Sequence, residues 1–257
     1  MRITFITLVL VLFVASRPIM RVGTANTDTL RQDDAILIAI KELRSNRPSI
    51  RSAAKTRLVQ AGNDAVGPVM SLLSELLERA TNRLPVQEES APPLRSGSQD
   101  GSEHLSTWTT IDDCCDVLGG LRARQAVGLL IRVVEVRGTY AILPPPKRPS
   151  ELNAIALIGK AAEGALIEEL KTAQQRAVSL VSEMRAEGDN QRQWLEERKV
   201  YEIQVQMTEA LSRVGDSGTI EALEALLKSN VEYGRSWRAI VEGAIAKISS
   251  RSGHVPR

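Results

Sequence analysis

The residues best suited to chemistry lie side by side, where Asp112, Asp113, Cys114, Cys115 and Asp116 follow one another. Carboxylates three or four residues apart share one face of a helix, so they could bind a cation or act in acid–base catalysis. Helix surfaces also produce this spacing without any function. No calcium-binding loop, nucleophile elbow or phosphate-binding loop accompanies these acids in the sequence. We therefore predict no catalytic residues, no metal ligands and no cofactor.

Cys114 and Cys115 are the only cysteines of the chain. Adjacent side chains on a helix point in directions about 100° apart, so a disulfide between them would require a distorted turn. We interpret both as buried thiols, with an intermolecular disulfide or a redox role as the alternative. His104, expected in a loop, and His254, in the carboxy-terminal tail, supply too few further ligands for a zinc site.

The element that repeats along the chain is a helix that ends at a glycine. It recurs at Gly62, Gly120, Gly159 and Gly215, each followed within a few residues by a second apolar segment. Glycine suits these places because the residue after the last helical turn is commonly left-handed. The flanking apolar residues recur at intervals of three and four, as on one helix face. Because such a pair buries its apolar face only against a neighbour, the sequence predicts an all-α fold, an α-solenoid of stacked antiparallel helix pairs.

The apolar periodicity predicts helices over 33–44, 48–61, 65–81, 109–118, 123–136, 150–158, 162–186, 191–214, 217–229 and 236–249. Two stretches rich in proline, glycine and serine, 84–103 and 138–150, are interpreted as flexible insertions that could carry partner contacts or act as spacers. The second contains Pro144–Pro146, which favours polyproline II structure. Trp108, Trp194 and Trp237 are interpreted as packing residues.

Residues 1–25 have the pattern of a signal peptide. Arg2 is followed by an uncharged, mostly aliphatic segment from Ile3 to Ala15, shorter than the roughly 20 apolar residues that span a membrane. Cleavage is expected after Ser16 or after Ala25. The sequence thus predicts a secreted or periplasmic protein whose mature part, 26–257, is one repeat domain; an apolar first helix docked on the solenoid is the alternative.

The basic character of the chain resides in this leader. The whole sequence has 33 Lys and Arg against 31 Asp and Glu, a net charge of +2. Removal of residues 1–25 takes away Arg2, Arg17 and Arg21 and no acid, so 30 basic residues remain against 31 acidic ones. A nucleic-acid-binding protein is expected to keep a basic stripe. We therefore expect no nucleic-acid partner, and no membrane association after cleavage.

Two stretches carry a resemblance to a known family. Ala210–Asp216 reads Ala-Leu-Ser-Arg-Val-Gly-Asp and Ala222–Leu227 reads Ala-Leu-Glu-Ala-Leu-Leu. These phrases, and Leu157–Leu170, resemble HEAT-type repeats, in particular the phycobiliprotein-lyase HEAT-like subclass. The resemblance implies an armadillo/HEAT-type superhelix. A non-catalytic scaffold that binds a protein partner through its extended repeat surface is the function expected; the alternatives are a lyase-type or chromophore-attachment enzyme and a HEAT-like nucleic-acid-binding protein.

Overall fold

The computed structural model describes residues 25–82, 99–139, 149–187, 191–228 and 235–252, and within these ranges it contains helices and no strand. The helices are α1 (Ala25–Leu43), α2 (Pro48–Ala61), α3 (Val66–Asn82), α4 (Gln99–Gly120), α5 (Val127–Thr139), α6 (Ser150–Ile158), α7 (Glu163–Glu187), α8 (Gln191–Val214), α9 (Ser217–Lys228) and α10 (Arg235–Ser252). Short 3-10 turns, Gly62–Ala65, Arg124–Ala126 and Gly159–Ala162, precede α3, α5 and α7. The prediction of an all-α fold is confirmed.

Helix α4 differs most from its predicted bounds. It begins at Gln99, ten residues before the expected start at Thr109, so the last part of the expected insertion 84–103 is helical. The first turns of α4 are polar and contain Gly101, and no apolar period marks them in the sequence. Once the buried part of α4 has formed, each further residue adds a backbone hydrogen bond without a new nucleation cost. Helices α2, α6 and α8, in contrast, have the predicted bounds.

Some predictions fall on residues outside the described ranges. These are the signal peptide apart from Ala25, with its candidate cleavage site at Ser16, the proline run 144–146, and His254. The expectation that His104 lies in a loop is wrong, because residue 104 belongs to helix α4. The side chains of His104 and Trp194 lie outside the description. Among the helices that are described, none combines the length and apolar character needed to cross a membrane.

The contacts between the described helices form two series, which we call the even layer and the odd layer. The even-numbered helices α2, α4, α6, α8 and α10 contact one another in that order, and α1, α3, α5, α7 and α9 do the same. Each odd helix also contacts the even helix that follows it. Apolar side chains fill the space between the layers, because a helix with one apolar face is stabilised only when a neighbour covers that face.

Helices α4 and α6 form the centre of the even layer. Their largest fully buried apolar residues are Ile111, Leu118 and Ile155. In α6 five of nine residues are buried, including the charged Glu151. A short helix that is apolar almost all round has to be covered on most sides, and α6 is covered by α4, α5 and α8.

Only two of the four helix-ending glycines adopt a positive φ. Gly62 has φ 68° and ψ −140°, and Gly159 has nearly the same conformation, φ 74° and ψ −144°. In each case the glycine N–H bonds to a carbonyl of the preceding helix, and a 3-10 turn leads into the next helix. One turn geometry therefore recurs at two places in the chain, where glycine avoids the strain that a Cβ would cause.

The expected left-handed conformation is wrong for Gly120 and Gly215, because the described residues have positive φ only at Gly62, Gly159 and Arg122. Two residues after the end of α4, Arg122 has φ 51°, and the Ala123 N–H bonds to the Leu118 carbonyl at 3.0 Å. This is a Schellman-type end with arginine in the usual glycine position. Gly215 is required for space, since a Cβ there would lie 2.8 Å from the Leu211 carbonyl oxygen.

Candidate functional site

Helix α4 directs its acidic side chains to two different neighbours. Asp113 and Asp116, three residues apart, face α2. Asp113 lies 2.8 Å from Arg51 and 2.8 Å from Lys55, and Asp116 lies 2.9 Å from Lys55. Asp113 and Asp116 therefore share a helix face, and the cation that they bind is the Lys55 side chain. In the part of the chain that the structure describes, no group of three or more His, Cys, Asp or Glu side chains is arranged to hold a metal ion.

The charges of this α2–α4 contact stabilise each other. Burial opposes the charged form of Lys55, but its hydrogen bonds to Asp113 and Asp116 outweigh that effect and raise the pKa of Lys55. The Asp113 side chain is 10% exposed, so its carboxylate depends on these cations for compensation. The arrangement fastens α2 to α4 and offers no free acid or base for chemistry.

Asp112 points away from α2, toward α5 and α6. Arg137 of α5 donates from Nη2 to Asp112 Oδ1 at 2.5 Å, and its Nε lies 2.9 Å from Glu151 Oε1. The Arg137 guanidinium also lies 4.6 Å from the centre of the Trp108 ring, within the range of a cation–π interaction. Arg137 of α5 thus connects this helix of the odd layer with α4 and α6 of the even layer.

Glu151 is the most unusual member of this group. Its side chain is completely buried, although carboxylates are seldom buried in proteins. Burial raises the pKa of Glu151 and outweighs the opposing effect of Arg137. Burial likewise raises the pKa of Asp112 against the attraction of Arg137. Sequence analysis missed this group, because a glutamate in the first turn of a helix normally indicates only a favourable dipole interaction.

The interpretation of both cysteines as buried thiols is confirmed. Cys114 and Cys115 are free and have no exposed surface. Burial raises the pKa of both thiols well above the ordinary value, and neighbouring carboxylates add to the shift. Thiols of this kind react slowly, since the thiolate is the nucleophile. Trp108 and Trp237 are also buried, as their interpretation as packing residues requires.

An exposed apolar strip crosses the ends of three neighbouring helices. Val59 near the end of α2 is 39% exposed, and Leu157 near the end of α6 is 52% exposed. Between them α4 ends in Gly119 and Gly120. A Cβ on Gly120 would lie 3.2 Å from Val59, and one on Gly119 would lie 3.2 Å from Leu157. We call the exposed residues Val59, Gly120 and Leu157 the apolar strip; Gly119 itself is buried.

A shallow groove of about 340 Å³ opens beside the strip, between α2 and α4. It is lined by the exposed Val59 and the buried Val117, together with the polar side chains of Lys55, Thr56, Gln60 and Asp116. A surface of this kind has room for an apolar side chain, with polar groups alongside for orientation. The sequence gives no sign of the strip, because Val59, Gly120 and Leu157 are far apart in the chain and each fits a helix end.

Comparison with known protein families, curated proteins and solved structures gives no match.

Proposed function

We propose that this protein is a non-catalytic scaffold, an exported α-solenoid of HEAT-like type that binds a protein partner through the even-numbered helix layer. The observation that carries the proposal is the apolar strip. Val59 and Leu157 remain exposed although their helices, α2 and α6, both pack against α4. Exposed apolar side chains grouped beside a groove are typical of a protein–protein contact.

The order of contacts within each layer supports the solenoid interpretation. The connection between α6 and α7 also contacts the connection between α8 and α9. Lys160, before α7, pairs with Asp216, before α9, and the Thr219 hydroxyl of α9 donates to Glu163 of α7. Corresponding residues of successive helix pairs interact in this way when repeats are stacked.

Two further features support a binding role without turnover. The ionisable groups drawn together by the fold, Arg51 with Asp113 and Arg137 with Asp112, are paired with each other. A preformed helical surface also lowers the conformational entropy that association would otherwise cost. Export depends on the sequence of residues 1–25, and mass spectrometry of the mature amino terminus in the native host tests it directly.

The test of the interface places a photo-activated cross-linking residue at Val59 or at Leu157 in the full chain. Val178 provides a matched control, because it is an apolar residue of α7 in the other layer and is 43% exposed. We expect the same partner to be cross-linked from positions 59 and 157, to be absent from position 178, and to be competed by unlabelled protein. Cross-linking that is equal at all three positions would contradict the proposed surface.

Affinity measurements with the captured partner complete the test. Val59→Glu and Leu157→Glu should each weaken binding about tenfold or more, since each places a charge where an apolar contact of about 1.5–3 kcal/mol forms. Val178→Glu should leave the affinity unchanged. Salt-sensitive binding to DNA, or turnover of a substrate by the purified protein, would overturn the proposed function.

A further inference from the structure

The group formed by Asp112, Arg137 and Glu151 has an uneven charge count. Two carboxylates lie against one guanidinium, with side-chain exposures of 32% for Asp112, 15% for Arg137 and 0% for Glu151. With all three ionised, the group would carry one net negative charge. One proton makes it neutral. Because a buried net charge is costly, the neutral form is favoured inside the protein.

Among the residues that the structure describes, none supplies Glu151 with a second cation. From α4, Asp112 and the Cys115 thiol face it, and from α5 only Arg137 does. Helix α8 contacts α6 through Arg213, which bonds to Asn153 Oδ1 at 3.0 Å and to Glu209 at 2.8 Å. In the 3-10 turn after α6, Lys160 is 74% exposed and pairs with Asp216. Among the described residues, the other cations near α6 are therefore engaged with their own partners.

We propose that the Asp112–Arg137–Glu151 group takes up one proton when the chain folds, held mainly on Glu151, and so acts as a pH-dependent latch between α4, α5 and α6. The proton comes from solvent and converts the carboxylate to a carboxylic acid. Glu151 is the favoured site because its side chain has no exposed surface, whereas the Asp112 side chain is 32% exposed. Asp112 keeps its charge, since it accepts the 2.5 Å hydrogen bond from Arg137.

The sign of the pH dependence follows from linkage. Burial raises the pKa of Glu151 above its ordinary value of 4.5, so the folded chain binds this proton more tightly than the unfolded chain. The stabilisation is therefore fully present at a pH below the unfolded pKa and is lost as the pH rises through the folded pKa. Raising the pH should loosen the latch, in contrast to a salt-bridged surface carboxylate, whose contribution is lost in acid.

The test compares the unfolding equilibrium of the full chain between about pH 4 and pH 8 with that of Glu151→Gln. The glutamine keeps the shape of the side chain and cannot ionise. In the wild type, the unfolding equilibrium constant should rise by up to about tenfold per pH unit relative to the variant, which corresponds to one proton. Glu224→Gln, an exposed position on α9, should leave the wild-type profile unchanged. Parallel profiles for the wild type and Glu151→Gln would overturn the proposal.

A direct titration keeps the proposal testable if Glu151→Gln does not fold. The carboxyl carbon of Glu151, followed by NMR in the wild type, should titrate with a midpoint above 4.5. Asp112→Asn removes the neighbouring negative charge, so it should move that midpoint to lower pH. A midpoint at or below 4.5 in the wild type would overturn the proposal, and so would a midpoint that does not move in Asp112→Asn.

Discussion

Gly119 of α4 lies so close to Ala154 of α6 that a Cβ on the glycine would be 2.7 Å from the alanine Cα. The two helix backbones approach each other at this point because neither residue has a large side chain. The contact holds together the centre of the even layer and brings Leu157 beside the end of α4. Gly119 is therefore required by helix packing and not by a turn.

The first prediction concerns this contact. Gly119→Ala should lower the free energy of unfolding by about 1–3 kcal/mol, because the added methyl group meets backbone atoms that cannot move independently of their helix. Urea unfolding followed by circular dichroism measures the change. Gly243→Ala is the control, since this glycine lies inside α10 with no atom within 4 Å of the added Cβ. It should stabilise the protein by about 0.5–1 kcal/mol, and a loss at Gly243 similar to that at Gly119 would contradict the argument.

A second prediction concerns the two glycines with positive φ. Gly62→Ala and Gly159→Ala should each cost about 1–3 kcal/mol through backbone strain alone, because no atom lies within 4 Å of either added Cβ. Arg122→Gly should have the opposite effect and stabilise the end of α4 by up to about 1 kcal/mol, since Arg122 has φ 51°. Thermal unfolding of the three variants checks these signs, and an unchanged midpoint for both alanine variants would be inconsistent with the turn geometry.

The third prediction concerns a buried amide pair between α7 and α8. Gln204 donates from Nε2 to Gln174 Oε1 at 2.7 Å, and both side chains are buried. Gln204→Leu should cost about 1–3 kcal/mol, because it leaves the Gln174 oxygen without a donor. Gln174→Leu combined with Gln204→Leu should cost less than the sum of the single changes. A double-mutant cycle measures the coupling, expected at about 0.5–3 kcal/mol; strict additivity would show that the pair does not act as a unit.

A fourth prediction tests the central position of Arg137. Arg137→Met should destabilise the protein by about 3–5 kcal/mol at neutral pH, since it leaves the buried Glu151 and the partly exposed Asp112 without their cation. The loss should shrink in acid, where the carboxylates bind protons. Arg238→Met provides the comparison, because Arg238 is 60% exposed and lies 3.9 Å from Glu242. Arg238→Met should change the free energy of unfolding by no more than about 1 kcal/mol. Equal losses of stability for both arginine variants would refute the central role of Arg137.

The fifth prediction is a pH effect at the start of α9. The ion pair with Lys160 lowers the pKa of Asp216, and the Gly218 N–H adds a hydrogen bond to the same carboxylate. Its stabilisation is present above the ordinary pKa of aspartate and is lost as the pH falls through the lowered folded value. Asp216→Asn keeps a residue suited to the helix N-cap and removes the charge. Its stability should therefore depend less on pH in the acid range, and the difference from the wild type should fade in high salt because both side chains are exposed.

Much of the helical structure was predictable from local pattern. The bounds of α2, α6 and α8 agree with the apolar periodicity, because that periodicity is the side-chain face that each helix buries. The start of α4 was not predictable, since its polar first turns add no apolar period. The burial of Cys114 and Cys115 was predicted from residue type, whereas the burial of Glu151 runs against its residue type and depends on Arg137, a residue of another helix.

The sequence by itself determined an all-α chain, most of its helix bounds and the positions where helices end, because these depend on residues within a few positions of each other. Only the tertiary structure decided which structural role each glycine and each acidic residue of α4 has. Gly62 and Gly159 serve turns, but Gly119 and Gly215 serve close contacts. The acidic residues of α4 also have different partners. Asp113 and Asp116 pair with Lys55, whereas Asp112 pairs with Arg137. The physical reason is that steric clearance, burial and charge compensation depend on distances between segments that are remote in the chain, and local periodicity does not contain those distances.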